Sequence, residues 1–345
     1  MSELSKQKLL SLIGELLPQV ELTGEIERLS GGNINFVWRA EGKEKNLILK
    51  YAPPHIATDP NVPLSEKRID FEARVLRNLG KGGSLHSITK ARIRPPEWYG
   101  FDPEHSLLIM EDVGHFKELQ KATGSPQKIG MRLGRFIGKL HRSTYQDQGL
   151  KENFHNIEIQ KVRNQLQYQP AHNYLGSADS EVIEAVKEKC QDLGKRLFKP
   201  GKCLVMGDLW PPSVFVRNED ELRLIDWEFV HYGRPIQDVA HFAAHCWMWS
   251  QTNFEENNRK FWMTLWESFW RIYQNTLGTD FEKLCNKGEL RDFNIHAGAE
   301  ILIRANGAFR SGYVYDRSAN QKKLRTEAIE TAIALILGKQ TLFDW

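Results

Sequence analysis

Two acids frame one short stretch of this chain. The segment Val205-Met206-Gly207-Asp208-Leu209-Trp210-Pro211-Pro212-Ser213-Val214-Phe215-Val216 runs from apolar residues into Gly-Asp, and Ser213 follows Asp208 by five positions. A second run, Leu222-Arg223-Leu224-Ile225-Asp226-Trp227-Glu228, ends in two further acids. Phosphoryl transfer uses such parts: an Asp that orients an acceptor hydroxyl, an oxygen ligand five residues on, and an Asp after the next strand that holds Mg²⁺ between phosphates. Either acid alone would read as a loop cap. Two acids flanking a hairpin at this spacing point instead to chemistry.

The elements that must position these groups follow from the apolar pattern and the turn residues. Residues 4–17 alternate at helical spacing and stop at Pro18. Three strands are predicted at Ile26–Leu29, Asn35–Ala40 and Leu47–Tyr51, with Gly31-Gly32-Asn33 joining the first two. That turn is either an ordinary hairpin or a cradle whose backbone N–H groups face phosphate oxygens. Lys50 closes the third strand, where a lysine pairing the α- and β-phosphates would stand. A helix over 65–79 carries Glu72, either a solvated position or the partner of an ion pair to Lys50. Residues 80–87 read as a loop. Strands at Glu97–Gly100 and Ser106–Met110 lead into Glu111-Asp112-Val113, and the hinge and domain boundary are placed at Met110–Val113.

Beyond it the chain is helical. Helices are predicted over 126–144, 180–197 (capped by Ser180), 236–249, 254–277, 290–313 and 322–339, with 145–178 polar and irregular, as loops around short helices. Asp226 and Glu228, two apart in a strand-like segment, would share one side and Trp227 the other. Trp262, Trp266 and Trp270 form a core stripe. His241 and His245 have zinc-ligand spacing but lack a third ligand, so they read as structural.

At 345 residues the chain suggests about two domains. A net charge of +3 is too mild to imply nucleic acid. No signal-peptide pattern and no membrane-spanning run appear, and the four scattered cysteines form neither a zinc motif nor a disulfide framework. The chain reads as cytoplasmic, with no membrane or nucleic-acid partner. Walker and dinucleotide-binding glycine motifs are absent.

With these residues in place, the chain resembles the aminoglycoside phosphotransferase/choline kinase superfamily of small-molecule kinases. Within it the closest likeness is to the methylthioribose kinases. The matching segments, in order, are Gly32-Asn33-Ile34-Asn35-Phe36-Val37, Lys50, Pro63-Leu64 through Glu72-Ala73, and Met110-Glu111-Asp112. Gly207-Asp208-Leu209 with Ser213, Ile225-Asp226-Trp227-Glu228-Phe229 and Tyr232-Gly233 follow. The resemblance implies an α/β (α+β) fold, bilobal and protein-kinase-like. Residues 1–112 would form a small β-rich nucleotide-binding N-lobe, and 113–345 a larger, mainly helical C-lobe carrying the catalytic loop, metal and acceptor sites.

It further implies ATP and Mg²⁺ as cofactors and a small-molecule hydroxyl as acceptor, with a homodimer as a candidate assembly. Asp208 would be the catalytic base, and Ser213, Asp226 and Glu228 the metal ligands. Gly31, Gly32, Asn33, Asn35, Lys50, Glu72, Met110, Glu111, Asp112 and Val113 would bind the nucleotide. Trp210, Trp227, Arg234 and Arg304 are acceptor candidates, and Asp238 resembles the family's Asp that braces the catalytic loop. Met206 stands where the family usually has His, so a nucleotide-binding pseudokinase with a regulatory role is the alternative. Asp226-Trp227-Glu228 replaces the Asp-Pro-Glu of methylthioribose kinases, and Ile303-Arg304 replaces their Arg-Arg pair. The Asp-Trp-Glu form is similar to that of fungal kinases of hydroxylated tryptamines. The acceptor is therefore expected to be a methylthioribose-like sugar or a hydroxylated aromatic amine.

Overall fold

The computed structural model describes residues 3–30, 34–90, 92–218, 221–252, 256–318 and 320–343. The chain forms two compact units. The first comprises Met1–Ala122, Ser213–Arg217 and Glu221–Val230, and the second is built mainly from Thr123–Pro212 and His231–Trp345.

The first unit opens with helix α1 (Lys6–Leu16), whose N-cap Ser5 accepts the Lys8 N–H through its hydroxyl. Strands β1 (Leu22–Arg28), β2 (Phe36–Gly42) and β3 (Leu47–Tyr51) follow. A short hairpin, β4 (His55–Ile56) and β5 (Asp59–Pro63), has no counterpart in the predicted elements. Then come α2 (Arg68–Leu79), β6 (Ile93–Arg94), β7 (Trp98–Asp102), β8 (Leu107–Glu111) and β9 (Lys117–Glu118). The main sheet is antiparallel in the order β1-β2-β3-β8-β7. Its core is made by Leu9, Leu12 and Ile13 of α1 against Trp38, Leu47, Leu49, Leu107 and Ile109. Strand alternation therefore sends Leu47, Leu49 and Tyr51 into that core and leaves Lys50 on the opposite face.

The second unit contributes α3 (Pro126–Ser143), α4 (Gln148–Asn153), α5 (Ile157–Arg163), α6 (Ser180–Arg196) and β10 (Cys203–Val205). The chain next supplies β11 (Val214–Arg217) and β12 (Glu221–Leu224) to the first unit, where they form a second sheet in the order β6-β12-β11-β9. β13 (His231–Gly233), which pairs with β10, returns to the second unit. Helices α7 (Pro235–Thr252), α8 (Glu256–Leu277), α9 (Phe281–Leu284), α10 (Lys287–Ala305) and α11 (Gln321–Ile336) complete it.

Two helix expectations need correction. The N-cap of α6 is Asp179, not Ser180, and it makes no side-chain cap bond. The helix predicted to run to Tyr313 ends at Ala305, because Asn306-Gly307 breaks it and the chain re-forms only a short turn at Val314–Arg317. The stretch 145–178 holds the short helices α4 and α5 among its loops, as expected.

Helix α3 meets α8 so closely that its contact row is glycine. A Cβ on Gly134 would lie 2.3 Å from the Phe269 carbonyl oxygen, and one on Gly130 would lie 2.3 Å from that of Leu265. Backbone cannot yield as a flexible side chain can. Gly134→Ala is expected to destabilise the second unit by roughly 1–3 kcal/mol, the usual cost of overpacking. Chemical denaturation reads this directly, and an unchanged midpoint would show that α3 and α8 can separate at no cost.

Candidate active site

In the first unit Lys50 gathers three carboxylates. Its Nζ lies 2.9 Å from Glu72 Oε2, 2.9 Å from Asp226 Oδ1 and 3.9 Å from Glu228 Oε1. Glu72 arrives from α2, and its other oxygen accepts the Trp227 backbone N–H at 3.3 Å. The Lys50, Glu72 and Glu228 side chains are almost fully buried, whereas that of Asp226 is 40 % exposed. Asp226 is thus the open edge of the cluster.

The route by which the acids converge differs from the strand expected of them. Asp226 is left-handed (φ 61°, ψ 60°), and Trp227–Phe229 is a short 3-10 turn. Asp is among the few non-glycine residues that take up this backbone readily. The reversal turns Asp226 and Glu228 to the same lysine without strand alternation. Trp227 is fully buried, and its indole N–H donates to the Leu224 carbonyl at 2.7 Å. It packs the hairpin, so its assignment as an acceptor contact is corrected.

Arg68 and Asn35 lock this arrangement. Asn35 Nδ2 donates to Glu228 Oε2, and Asn35 Oδ1 accepts from Arg68 Nε at 3.0 Å. The Arg68 guanidinium also donates to the carbonyls of Ile34, Pro53, Leu64 and Ser65. Asn35, expected at the nucleotide loop, is 3 % exposed and serves as the link between Arg68 and Glu228.

Burial works against the Lys50 charge, but Asp226, Glu228 and Glu72 outweigh it and raise its pKa. Burial also pushes Glu228 up, to about 7, with Glu72 and Asp226 adding to the rise and Lys50 and Arg68 opposing it. Two cations, Lys50 and Arg68, face three carboxylates here, which leaves an excess of negative charge at the exposed Asp226. Hard carboxylate oxygens in this setting suit Mg²⁺, which takes one or two protein carboxylates and fills its shell from phosphate and water. Among the described residues no group of three or more His, Cys, Asp or Glu forms a ready-made metal cage.

Of the other first-unit candidates, Met110 and Val113 are buried at the end of β8 and just beyond it. Glu111 pairs with Arg94 at 2.6 Å, and Asp112 with Arg39 at 2.7 Å. Ser213 is buried, and its carbonyl accepts the Ile225 N–H at 2.9 Å. Gly31, Gly32 and Asn33 lie outside the described residues.

In the second unit the Gly-Asp loop is braced through its backbone. Asp238, fully buried on α7, accepts the N–H groups of Met206 and Gly207, both at 2.8 Å. His141 approaches the same carboxylate at 3.2 Å and Tyr273 Oη at 2.9 Å. Burial alone would raise the Asp238 carboxyl. The His141 hydrogen bond and charge and the two backbone N–H groups hold it below its ordinary value. Since residue 206 contributes its backbone, its side chain is free to be the buried Met206. Gly207, with φ 81°, supplies the left-handed turn that presents Asp208. The Asp208 side chain is 24 % exposed, and its Oδ1 accepts from Arg163 at 2.9 Å.

Beside it lies an aromatic and charged cluster. The Arg304 guanidinium sits 4.5 Å from the Trp210 ring centre and 5.0 Å from that of Tyr313. Glu300 Oε1 accepts from Arg304 Nε at 2.9 Å and faces His245 Nε2 at 3.0 Å. Tyr313 Oη meets His245 Nδ1 at 2.7 Å and receives the Trp249 indole N–H at 2.8 Å. Burial opposes the charge on Glu300, yet Arg304 and His245 hold its carboxyl well below the usual range. The structure thus joins Trp210 to Arg304, but it commits Arg234 to a separate ion-pair cluster with Glu289 and Asp292.

His241, His245 and His296 are all buried here. Burial, then the neighbouring Arg163, pulls His241 down to about 3. Its folded pKa lies below the unfolded 6.5, so the unfolded chain binds more protons between those values. Stability from the neutral imidazole is therefore fully present above about pH 6.5 and lost as pH falls towards 3. Thermal melts between pH 7 and 5 should show this fall, and His241→Gln should flatten it. An identical pH slope in the variant would place the acid-labile group elsewhere.

The sequence reading missed Arg163, Arg68, Glu300 and Tyr313. Arg68 with Glu72, and Glu300 with Arg304, stand four apart on their helices, the one local signal that pointed to them. Arg163 carried none.

A chain that carries an antiparallel β unit with a strand lysine and a helix glutamate, and a helical unit with a braced Gly-Asp loop, has the parts of a protein-kinase-like phosphotransferase. The model of the phosphotransferase enzyme family matches residues 25–269, and the chain belongs to that family. It is 26 % identical to the 4-hydroxytryptamine kinase of Psilocybe cyanescens, over 90 % of this chain and 95 % of that one. It is 24 % identical to the methylthioribose kinase of Exiguobacterium sibiricum, over 81 % and 79 %. Among solved structures, the amicoumacin kinase hAmiN in complex with AMP-PNP, Ca²⁺ and Ami superposes with a TM-score of 0.59 at 16 % identity, covering 98 % of this chain and 95 % of that one. The chain is a small-molecule kinase by these relationships. Among the described residues no helix is long and apolar enough to cross a membrane.

Proposed function

We propose that this kinase transfers the γ-phosphoryl group of ATP, with Mg²⁺, to a hydroxyl of a small metabolite. The observation that carries the reading is the Lys50 cluster, in which one buried lysine collects Glu72, Asp226 and Glu228. Phosphoryl transfer asks mostly for positioning and charge neutralisation. Lys50 would pair the phosphates, and Asp226 and Glu228, with Ser213, would hold the metal. The cation's contribution when bound is to neutralise charge building on the phosphate oxygens. The backbone at Met110–Val113 would receive the adenine, and Asp208 would accept the proton of the attacking hydroxyl.

The acceptor reading rests on Trp210, Arg304 and Tyr313. Aromatic rings give a flat apolar contact, and a guanidinium offers donors to oxygen functions. The curated relatives suggest two acceptor classes, a methylthioribose-like sugar and a hydroxylated aromatic amine. Arg304 favours the oxygen-rich sugar, because an ammonium group would meet like charge there. The pseudokinase alternative draws on Met206, yet the bracing of that loop runs through backbone N–H groups that any residue supplies.

A panel assay for ADP release with methylthioribose, hydroxytryptamines, choline and homoserine tests the proposal. Release with one acceptor supports it; tight ATP binding with silence on every acceptor would favour the pseudokinase. The metal assignment has its own test. Asp226→Ala should abolish the Mg²⁺ dependence of ATP binding in calorimetry, and Glu228→Gln should weaken it. An unaltered Mg²⁺ titration in the Asp226 variant would mean that other groups bind the cation.

A further inference from the structure

Asp208 is held by more than its own loop. Arg163, the last residue of α5, is nearly buried, and its NH2 group donates both to the Gly207 carbonyl at 2.5 Å and to Asp208 Oδ1 at 2.9 Å. One nitrogen thus ties the carboxylate to the backbone of the residue before it. The other terminal nitrogen donates to Gln167 Oε1 at 3.0 Å, and Gln167 Nε2 donates to Glu300 Oε2 at 3.0 Å. Glu300 is anchored in turn by Arg304 and His245. A continuous run of hydrogen bonds therefore leads from Asp208 through Arg163 and Gln167 to Glu300. The backbone carries it: directly after Arg163 the helix widens into a π-helical turn, Asn164–Tyr168, on which Gln167 lies. Such turns are uncommon and recur at functional sites.

We propose that Arg163 is the positioning residue for Asp208, held in place by Gln167 and Glu300. The inference rests on Asp208 being the base. A planar, fixed fork can hold a carboxylate in one rotamer against the loop backbone, which a single ammonium point charge cannot do equally well. Misplacing a reacting group by about 1 Å can cost on the order of 10²-fold in rate. Because Glu300 also grips Arg304, the support for the base and the proposed acceptor contact share one carboxylate.

The test is a double-mutant cycle on the full chain, reading ADP release with methylthioribose and with 4-hydroxytryptamine, alongside ATP affinity by calorimetry. Arg163→Gln is expected to lower kcat roughly 10- to 100-fold, with acceptor KM and ATP affinity changed by no more than about twofold. Arg163→Lys should recover part of the loss, and it carries the cycle should the Gln variant fail to fold. In an Asp208→Asn background, Arg163→Gln should change the residual rate by less than about twofold, since its effect passes through that carboxylate. Wild-type turnover in Arg163→Gln would overturn the proposal. So would an equal loss in both backgrounds, which would mean that Arg163 supports the fold in general. Near-normal turnover in Asp208→Asn alone marks a different failure, that of the base assignment, and removes the proposal with it.

Discussion

Asp208→Asn is expected to lower turnover by ~10²–10⁴-fold, the usual cost of losing a general base, while ATP affinity stays near wild type. The change is close to isosteric, and the loop around it is held independently of the side chain. Asp238 binds the backbone N–H groups of Met206 and Gly207, and Arg163 still has the Gly207 carbonyl to bind. The amide loses the negative charge that accepts a proton and little else. Lys50, Glu72, Asp226 and Glu228 belong to the first unit and Asp208 to the second, so nucleotide affinity reports on groups the substitution leaves in place. Steady-state ADP release and calorimetry on one preparation separate the outcomes. A large loss of ATP binding would move Asp208 to a metal or structural role.

Lys50→Met should have the largest effect on stability. The side chain is 3 % exposed, and it neutralises Glu72 and Glu228, which are themselves buried. Removing one member of such a buried set strands the others, at a cost of about 3–5 kcal/mol. That corresponds to a fall in melting temperature of roughly 10 °C. Lys50→Arg keeps the charge and should lose less stability, although its planar head cannot meet the three carboxylates as a compact ammonium does. ATP binding should fall in both variants. A Met variant as stable as wild type would mean that Glu72 and Glu228 take up protons readily once the lysine is gone.

How much of this was legible beforehand follows from the range of each interaction. The strand carrying Lys50 and the acids of the hairpin were readable because local pattern and fixed spacing encode them. The pairing of Asn35 with Glu228 spans 193 residues, and no local pattern reports a contact of that kind. Asp226 and Glu228 were placed together for the wrong reason, since period-two alternation was assumed where a left-handed residue and a turn operate. Arg163 lay in a stretch with no clear periodicity, because a π-helical turn disrupts the 3.6-residue repeat that marks helices. The glycines of α3 carry no signal of their own in the sequence. Their role appears only when the backbone of α8 lies against them.

The most direct test of phosphoryl transfer follows the phosphate itself. ATP whose non-bridging γ-phosphoryl oxygens carry ¹⁸O is incubated with Mg²⁺, the enzyme and methylthioribose or 4-hydroxytryptamine, and the acceptor is then examined by mass spectrometry and ³¹P NMR. The expected result is a phosphate monoester on one acceptor hydroxyl carrying the label, formed far more slowly with Asp208→Asn and absent when Mg²⁺ is chelated. Label appearing only as inorganic phosphate, or persisting in ATP despite tight nucleotide binding across the wider metabolite panel, would contradict it.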